Sequence, residues 1–169
     1  MKSLKTLVSL SALAVCMGAA SMANATTITP NPTAFTTPSG TIAVSSPASL
    51  GIPVNCGIVF TGSVAAGGAS ASITGATVSG GGLCGVPVLL GLPWTLTPGA
   101  GTAGVFTGTV SGVNFRIVND CADATAPATI NVKFDNATHA LTIGTPQTVG
   151  KCKITALNVT PAPEFTLNP

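Results

Sequence analysis

The chain has 169 residues, 46% of them hydrophobic and only 6% Asp, Glu, Lys or Arg. Its six basic and four acidic residues form no stripe of one sign, which excludes nucleic acid as an expected partner. A chain of this length fits one domain with a sizeable core.

Lys2 and Lys5 precede an apolar run, LVSLSALAVCMGAA, and the tripeptide Ala23, Asn24, Ala25 follows it. A basic start, an apolar centre and a small-x-small site make a bacterial secretory signal peptide over residues 1–25. Cys16 sits in AVCMG, a partial lipoprotein signal, but the A-N-A site argues for ordinary cleavage after Ala25. Cleavage there removes 25 of the 169 residues and leaves 144. That remainder has four bases (Arg116, Lys133, Lys151, Lys153) and four acids (Asp120, Asp123, Asp135, Glu164), for a net charge of zero. Residues 26–115 contain no Asp, Glu, Lys, Arg or His. Such a surface lacks long-range repulsion and is prone to self-association or adhesion.

Residues 26–40, TTITPNPTAFTTPSG, carry three prolines and read as an extended arm or an edge strand. Residues 41–169 then read as one β domain. Helix formers are scarce, while Thr, Val, Gly and Ser dominate. Alternating stretches recur in TIAVS (41–45), ASASITGATVSG (69–80), VNFRIVN (113–119) and TINVKF (129–134). Turn clusters separate them: AAGGAS (65–70), PGAGTAG (98–104) and DNATH (135–139). Short strands with glycine-rich turns predict an all-β fold, an antiparallel sandwich or a barrel-like domain.

Cys56, Cys84, Cys121 and Cys152 remain after the signal. Export favours disulfides. A zinc site fails on spacing, since there is no C-x2-C pair and His139 is the only histidine. Three pairings are open. One internal similarity bears on them: ASITG (71–75), Cys84 and WTL (94–96) are matched by ALTIG (140–144), Cys152 and FTL (165–167). If these are two similar halves, each a hairpin module with its own clasp, the pairs are Cys56–Cys84 and Cys121–Cys152.

Residues 83–94, LCGVPVLLGLPW, form the most apolar stretch after the signal and hold the only Trp. In one reading it is a buried connection and strand, with Val86, Val88, Leu90 and Leu92 inside. In the other it is an exposed patch that meets a partner, a membrane or a hydrocarbon. Burial is the simpler reading. The residues whose exposure decides between them, the apolar contact candidates, are Val86, Val88, Leu89, Leu90, Leu92 and Trp94.

Catalytic chemistry is hard to place. His139 beside Asp135 reads as a polar hairpin tip rather than a dyad. Asp120 and Asp123 flank Cys121 and read as a solvated turn rather than a carboxylate pair or calcium site. No serine-hydrolase elbow and no phosphate loop is present. The sequence calls for no catalytic residue, no metal and no cofactor.

The signal peptide, the run TIAVSSPASLGIPVNC, the hairpin GASASITGATVSG, LPWTLT and the closing NVTPAPEFTLNP together resemble the bacterial alkane oxidation protein activator family, PraB type. The likeness extends over essentially the whole chain and rests on overall pattern. It implies a secreted, non-enzymatic accessory of growth on long-chain alkanes, and four cysteines in disulfides. No haem, iron or flavin motif contradicts that implication. The expectation is a protein outside the cytoplasm, at the cell surface, extracellular or periplasmic, acting at an oil–water or cell-surface interface. Its partners would be alkane droplets or cell-surface components. The alternative is a self-associating subunit of a surface fibre or biofilm matrix, joined by strand addition through the residues 26–40 arm.

Overall fold

Alternation of Val, Ile and Phe with Thr, Ser and Gly gives each strand one apolar and one hydroxylated face. The structure, a computed structural model, describes residues 25–123 and 125–169; the expected signal peptide lies outside them but for Ala25. Fourteen strands follow in order: β1 (Thr27–Thr29), β2 (Thr33–Thr36), β3 (Gly40–Ser45), β4 (Val54–Val64), β5 (Ala71–Ser79), β6 (Val88–Leu90), β7 (Trp94–Thr102), β8 (Val105–Ile117), β9 (Asn119–Asp120), β10 (Ala128–Asp135), β11 (Ala140–Thr142), β12 (Gln147–Val149), β13 (Cys152–Val159) and β14 (Thr166–Asn168). Short 3-10 turns at Pro47–Ser49 and Gly82–Gly85 interrupt them.

Eight of these strands close a ring in which every neighbour is antiparallel. The ring runs β3, β4, β5, β7, β8, β10, β11, β13 and back to β3. The all-β antiparallel fold expected from the sequence is present, and the β8–β10 pairing makes it a closed barrel rather than an open sandwich. Closure satisfies both edges of the sheet. Eight strands leave an interior wide enough for side chains, or for side chains and one small ligand. Phe106, Val110, Phe115, Ile130, Val132, Phe134, Ile154, Leu157, Ile58, Phe60, Ile73, Trp94 and Leu96 are buried in one cluster there.

The two ends of the barrel differ. At one, the hairpin tips β4–β5, β7–β8 and β10–β11 meet a ribbon made by β1 and β14. The Ile28 amide donates to Gly68 O (2.8 Å). The Asn136 side chain acts as a strand residue: its Nδ2 donates to Leu167 O and its Oδ1 accepts from the Leu167 amide, both at 2.9 Å. Phe35 and Phe165 stack edge-to-face with centroids 5.1 Å apart. Residues 26–40 thus supply β1, paired with β14, and β2, paired with β4.

At the other end lie both disulfides, Cys56–Cys84 and Cys121–Cys152. This is the pairing that the two-halves reading implies. The segments that prompted that reading sit differently, however: Cys84 lies in a 3-10 turn and Cys152 opens a strand. Gly150 joins the second clasp to the β12–β13 hairpin with a left-handed φ of 56°. A Cβ there would collide with Cys121 O, the acceptor of the Lys151 amide.

The charge-free half of the chain makes one side of the barrel. Ser63, Ser72, Thr95 and Ser111 are successive cross-strand partners on β4, β5, β7 and β8. This row of hydroxyls lets an uncharged face stay hydrated.

Candidate functional site: the clasped end of the barrel

The stretch 83–94 spans the disulfide end. Cys84 is buried and bonded to Cys56, which ties the 3-10 turn to the start of β4. Beyond it, β6 pairs with the last turns of β8, Leu89 opposite Phe115 and Leu90 opposite Asn114. β7 then pairs with the same strand from Thr95 opposite Ser111. Between these pairs, residues 91–94 face only residues 112–113, so the chain bulges. Gly91 permits this with φ 64°. The Trp94 indole Nε1 spans the bulge and donates to Leu90 O at 2.9 Å.

The bulge reverses the side-chain parity. Counting back from Trp94 and Leu96, which are buried, even-numbered residues 86 to 92 would point inward. Instead Leu89 turns in and packs on the core. Val86 is 39% and Val88 42% exposed. Leu90 is half-buried, and Leu92, within the bulge, packs on the core from a half-buried position. The stretch is therefore neither wholly core nor wholly surface.

Three exposed residues from outside the stretch 83–94 join it at this end. Leu50 and Ile52, in the β3–β4 connection, are 89% and 64% exposed, and Val118, just past β8, is 60% exposed. Leu50 and Val118 hold positive φ, 53° and 66°. For a β-branched residue that conformation is a strained outlier. Leu50 sits among Pro, Ser and Gly in SSPASLGIPVN, where a lone aliphatic residue inside a turn cluster was the available signal. Of six exposed large hydrophobics among the described residues, only Val105 lies at the opposite end.

Beneath this end the barrel holds an apolar cavity of about 90 Å³. Trp94, Leu89, Leu83 and Val78 line it together with the barrel's inward Ile, Val and Phe residues. Its buried hydroxyls are already engaged: Thr37 Oγ1 accepts the Phe60 amide at 2.7 Å, and Ser46 Oγ accepts the Ser49 amide at 3.3 Å.

The polar candidates are placed structurally. His139 Nδ1 lies 2.7 Å from Phe165 O and its Nε2 lies 3.4 Å from Glu164 Oε2, so the ring fastens the C-terminal strand. Asp135 accepts the Ala137 amide at 2.8 Å. Asp123 accepts from the Thr125 amide (2.9 Å) and hydroxyl (2.8 Å), and these bonds hold its carboxyl below the usual range. No group of three metal-ligating side chains occurs among the described residues, and no helix among them is long and apolar enough to cross a membrane.

Fold and site define a small, disulfide-clasped, closed β-barrel with an apolar interior and, at its clasped end, exposed aliphatic residues interleaved with Arg116, Asp120, Lys151 and Lys153. The chain belongs to the alkane oxidation protein activator PraA/PraB-like family, whose model matches residues 1–169. No curated protein and no solved structure matched it.

Proposed function

We propose that this protein is a secreted, non-catalytic accessory of alkane oxidation that works at the oil–water or cell-surface interface. The clasped end is the contact surface. The observation that carries the reading is the placement of five of the six exposed large hydrophobics among the described residues, Leu50, Ile52, Val86, Val88 and Val118, at one end, where they stand beside the exposed charges of Arg116, Asp120, Asp123, Lys151 and Lys153. The family's name supplies the alkane. Apolar burial contributes about 25 cal/mol per Å², so covering a few hundred Å² contributes several kcal/mol and suffices for adsorption. Two disulfides are in keeping with a site of action outside the cytoplasm.

The experiment compares purified protein with a Leu50→Ser, Ile52→Ser, Val86→Ser, Val88→Ser variant. Wild type is expected to coat hexadecane droplets and lower interfacial tension, and the variant to do neither as well while keeping its fold. A wild-type protein that neither binds droplets nor lowers the tension would falsify the proposal.

A further inference from the structure

We infer that the barrel interior is a binding site for a single unbranched aliphatic chain, entered from the clasped end. The inference deepens the proposed function and rests on it for its biological sense, but its test is separate.

The cavity is closed at the hairpin end by Ile28, Phe35, Phe165 and Leu167, all of them buried. At the clasped end its lining residues Val44, Val54, Val78, Leu83 and Leu89 are half-exposed. Its other exposed border is Thr107, with Pro98 and Gly108 beside it, on the β7–β8 wall. The clasped-end opening lies at the same end as most of the exposed apolar residues, so a surface pressed on a hydrocarbon presents it to the oil.

The chemistry of the walls selects the ligand class. The side-chain oxygens of Thr37 and Ser46 accept from backbone amides and Thr107 Oγ1 donates to Ala100 O, so the polar side-chain atoms of the lining are few and already engaged. A sugar or carboxylate would be stranded there, and water has no partners to hold it. An aliphatic chain loses nothing by entering. An apolar cavity of about 150 Å³ holds one benzene ring, so a cavity of about 90 Å³ accepts an alkyl segment on the order of three or four carbons. Any polar head group stays at the mouth.

Trp94 makes the site observable. It is the only Trp, the chain has no Tyr, and its ring lines the cavity. Disulfide-intact protein is titrated with a bromine-tipped aliphatic alcohol, whose heavy atom quenches indole fluorescence. The linear 1-alkanols from ethanol to octanol then compete. Quenching is expected to saturate. Competitor affinity should rise about three- to fourfold per methylene. It should level off near three or four carbons, where the cavity is full. Leu89→Phe at the half-exposed mouth and Val132→Phe inside should each weaken binding by about tenfold with unchanged circular dichroism. If Val132→Phe does not fold, the mouth variant and the length series decide. Absence of saturable quenching overturns the inference, and so does affinity that climbs without a break through octanol, the mark of surface adsorption. If quenching fails while the protein still coats droplets, the cavity site falls and the interfacial function stands. If the chain binds but a strain lacking the protein grows normally on hexadecane, the site stands and the proposed function falls.

Discussion

The Trp94 indole donates its N–H to the carbonyl of Leu90, at 2.9 Å across the bulge that separates β6 from β7. This bond spans the parity shift, made with Gly91 and Gly112 at positive φ, that turns Leu89 into the barrel and leaves Val88 outside. Trp94→Phe keeps an aromatic ring and removes the donor, so it should cost about 1 kcal/mol. Trp94→Ala should cost about 3–5 kcal/mol, because it also opens the core. Denaturant titration followed by circular dichroism checks both, and a Trp94→Phe variant as stable as wild type would show that the bond contributes nothing.

The disulfides close loops of 28 and 31 residues. In the chain-entropy model each contributes roughly 3–4 kcal/mol, nearly equally. Cys56→Ala with Cys84→Ala, and Cys121→Ala with Cys152→Ala, should therefore lower stability by similar amounts. A much larger loss from the second pair would mean that the Cys121 loop also contributes packing, through buried Ala122 and the Gly150 turn.

Much of this fold was legible in the sequence, and the illegible parts have physical causes. TIAVS, ASASITGATVSG, VNFRIVN and TINVKF fall on β3, β5, β8 and β10. β4, the run VNCGIVFTGSV, escaped because Val59 stands on its outward face and Gly62 on its inward one, which blurs the alternation of Ile58, Phe60 and Val64; the shift opposite Thr61 and Gly62 places its extra residue, Thr74, on β5. Further shifts occur near Pro98, Ala128 and Thr155. A two-residue period read across a bulge assigns the wrong face. That is why Val86 and Val88, expected inside on the simpler reading, lie outside. Barrel closure was illegible for another reason: β8 and β10 are joined by a ten-residue connection with no hairpin signal. The clasped end as a surface was half legible, since residues 83–94 are continuous but Leu50, Ile52 and Val118 reach it only through the fold.

Asn136 carries the terminal ribbon on two hydrogen bonds to Leu167. Asn136→Ala should destabilise by about 2 kcal/mol, at roughly 1 kcal/mol net for each bond. Hydrogen exchange should show β1 and β14 opening first. Unchanged protection of Ile28 and Leu167 would contradict this role.

Gly62 lies under Phe35, and a Cβ there would meet the Phe35 ring at 2.8 Å and collide with Ser72 O. Gly62→Ala should cost about 1–3 kcal/mol by overpacking. It should also loosen β2, which pairs with β4 at this point. Because β1 and β2 are paired within the chain, exchange of this segment between copies requires both pairings to break. Sedimentation of wild type against Gly62→Ala tests that link, and a variant no more self-associating than wild type would deny it.

Asp123 has its folded pKa depressed below the ordinary 3.8 by the Thr125 amide and then by its hydroxyl. Its contribution is thus present above the ordinary value and is lost as pH falls through the lower folded one. The group is fully exposed, so the effect is small. Melting curves of wild type and Asp123→Asn should converge in acid and separate toward neutral pH, with wild type the more stable. Separation that persists in acid would assign the difference to something other than ionisation.

The central claim is that the clasped end serves alkane use from outside the cell. Growth of a strain lacking the protein, on hexadecane and on glucose, with purified protein added to the medium, tests it most directly. The account predicts a defect on hexadecane alone, rescued by added wild-type protein but not by the variant with Ser at Leu50, Ile52, Val86 and Val88. Normal growth on hexadecane without the protein, or equal rescue by that variant, would contradict it.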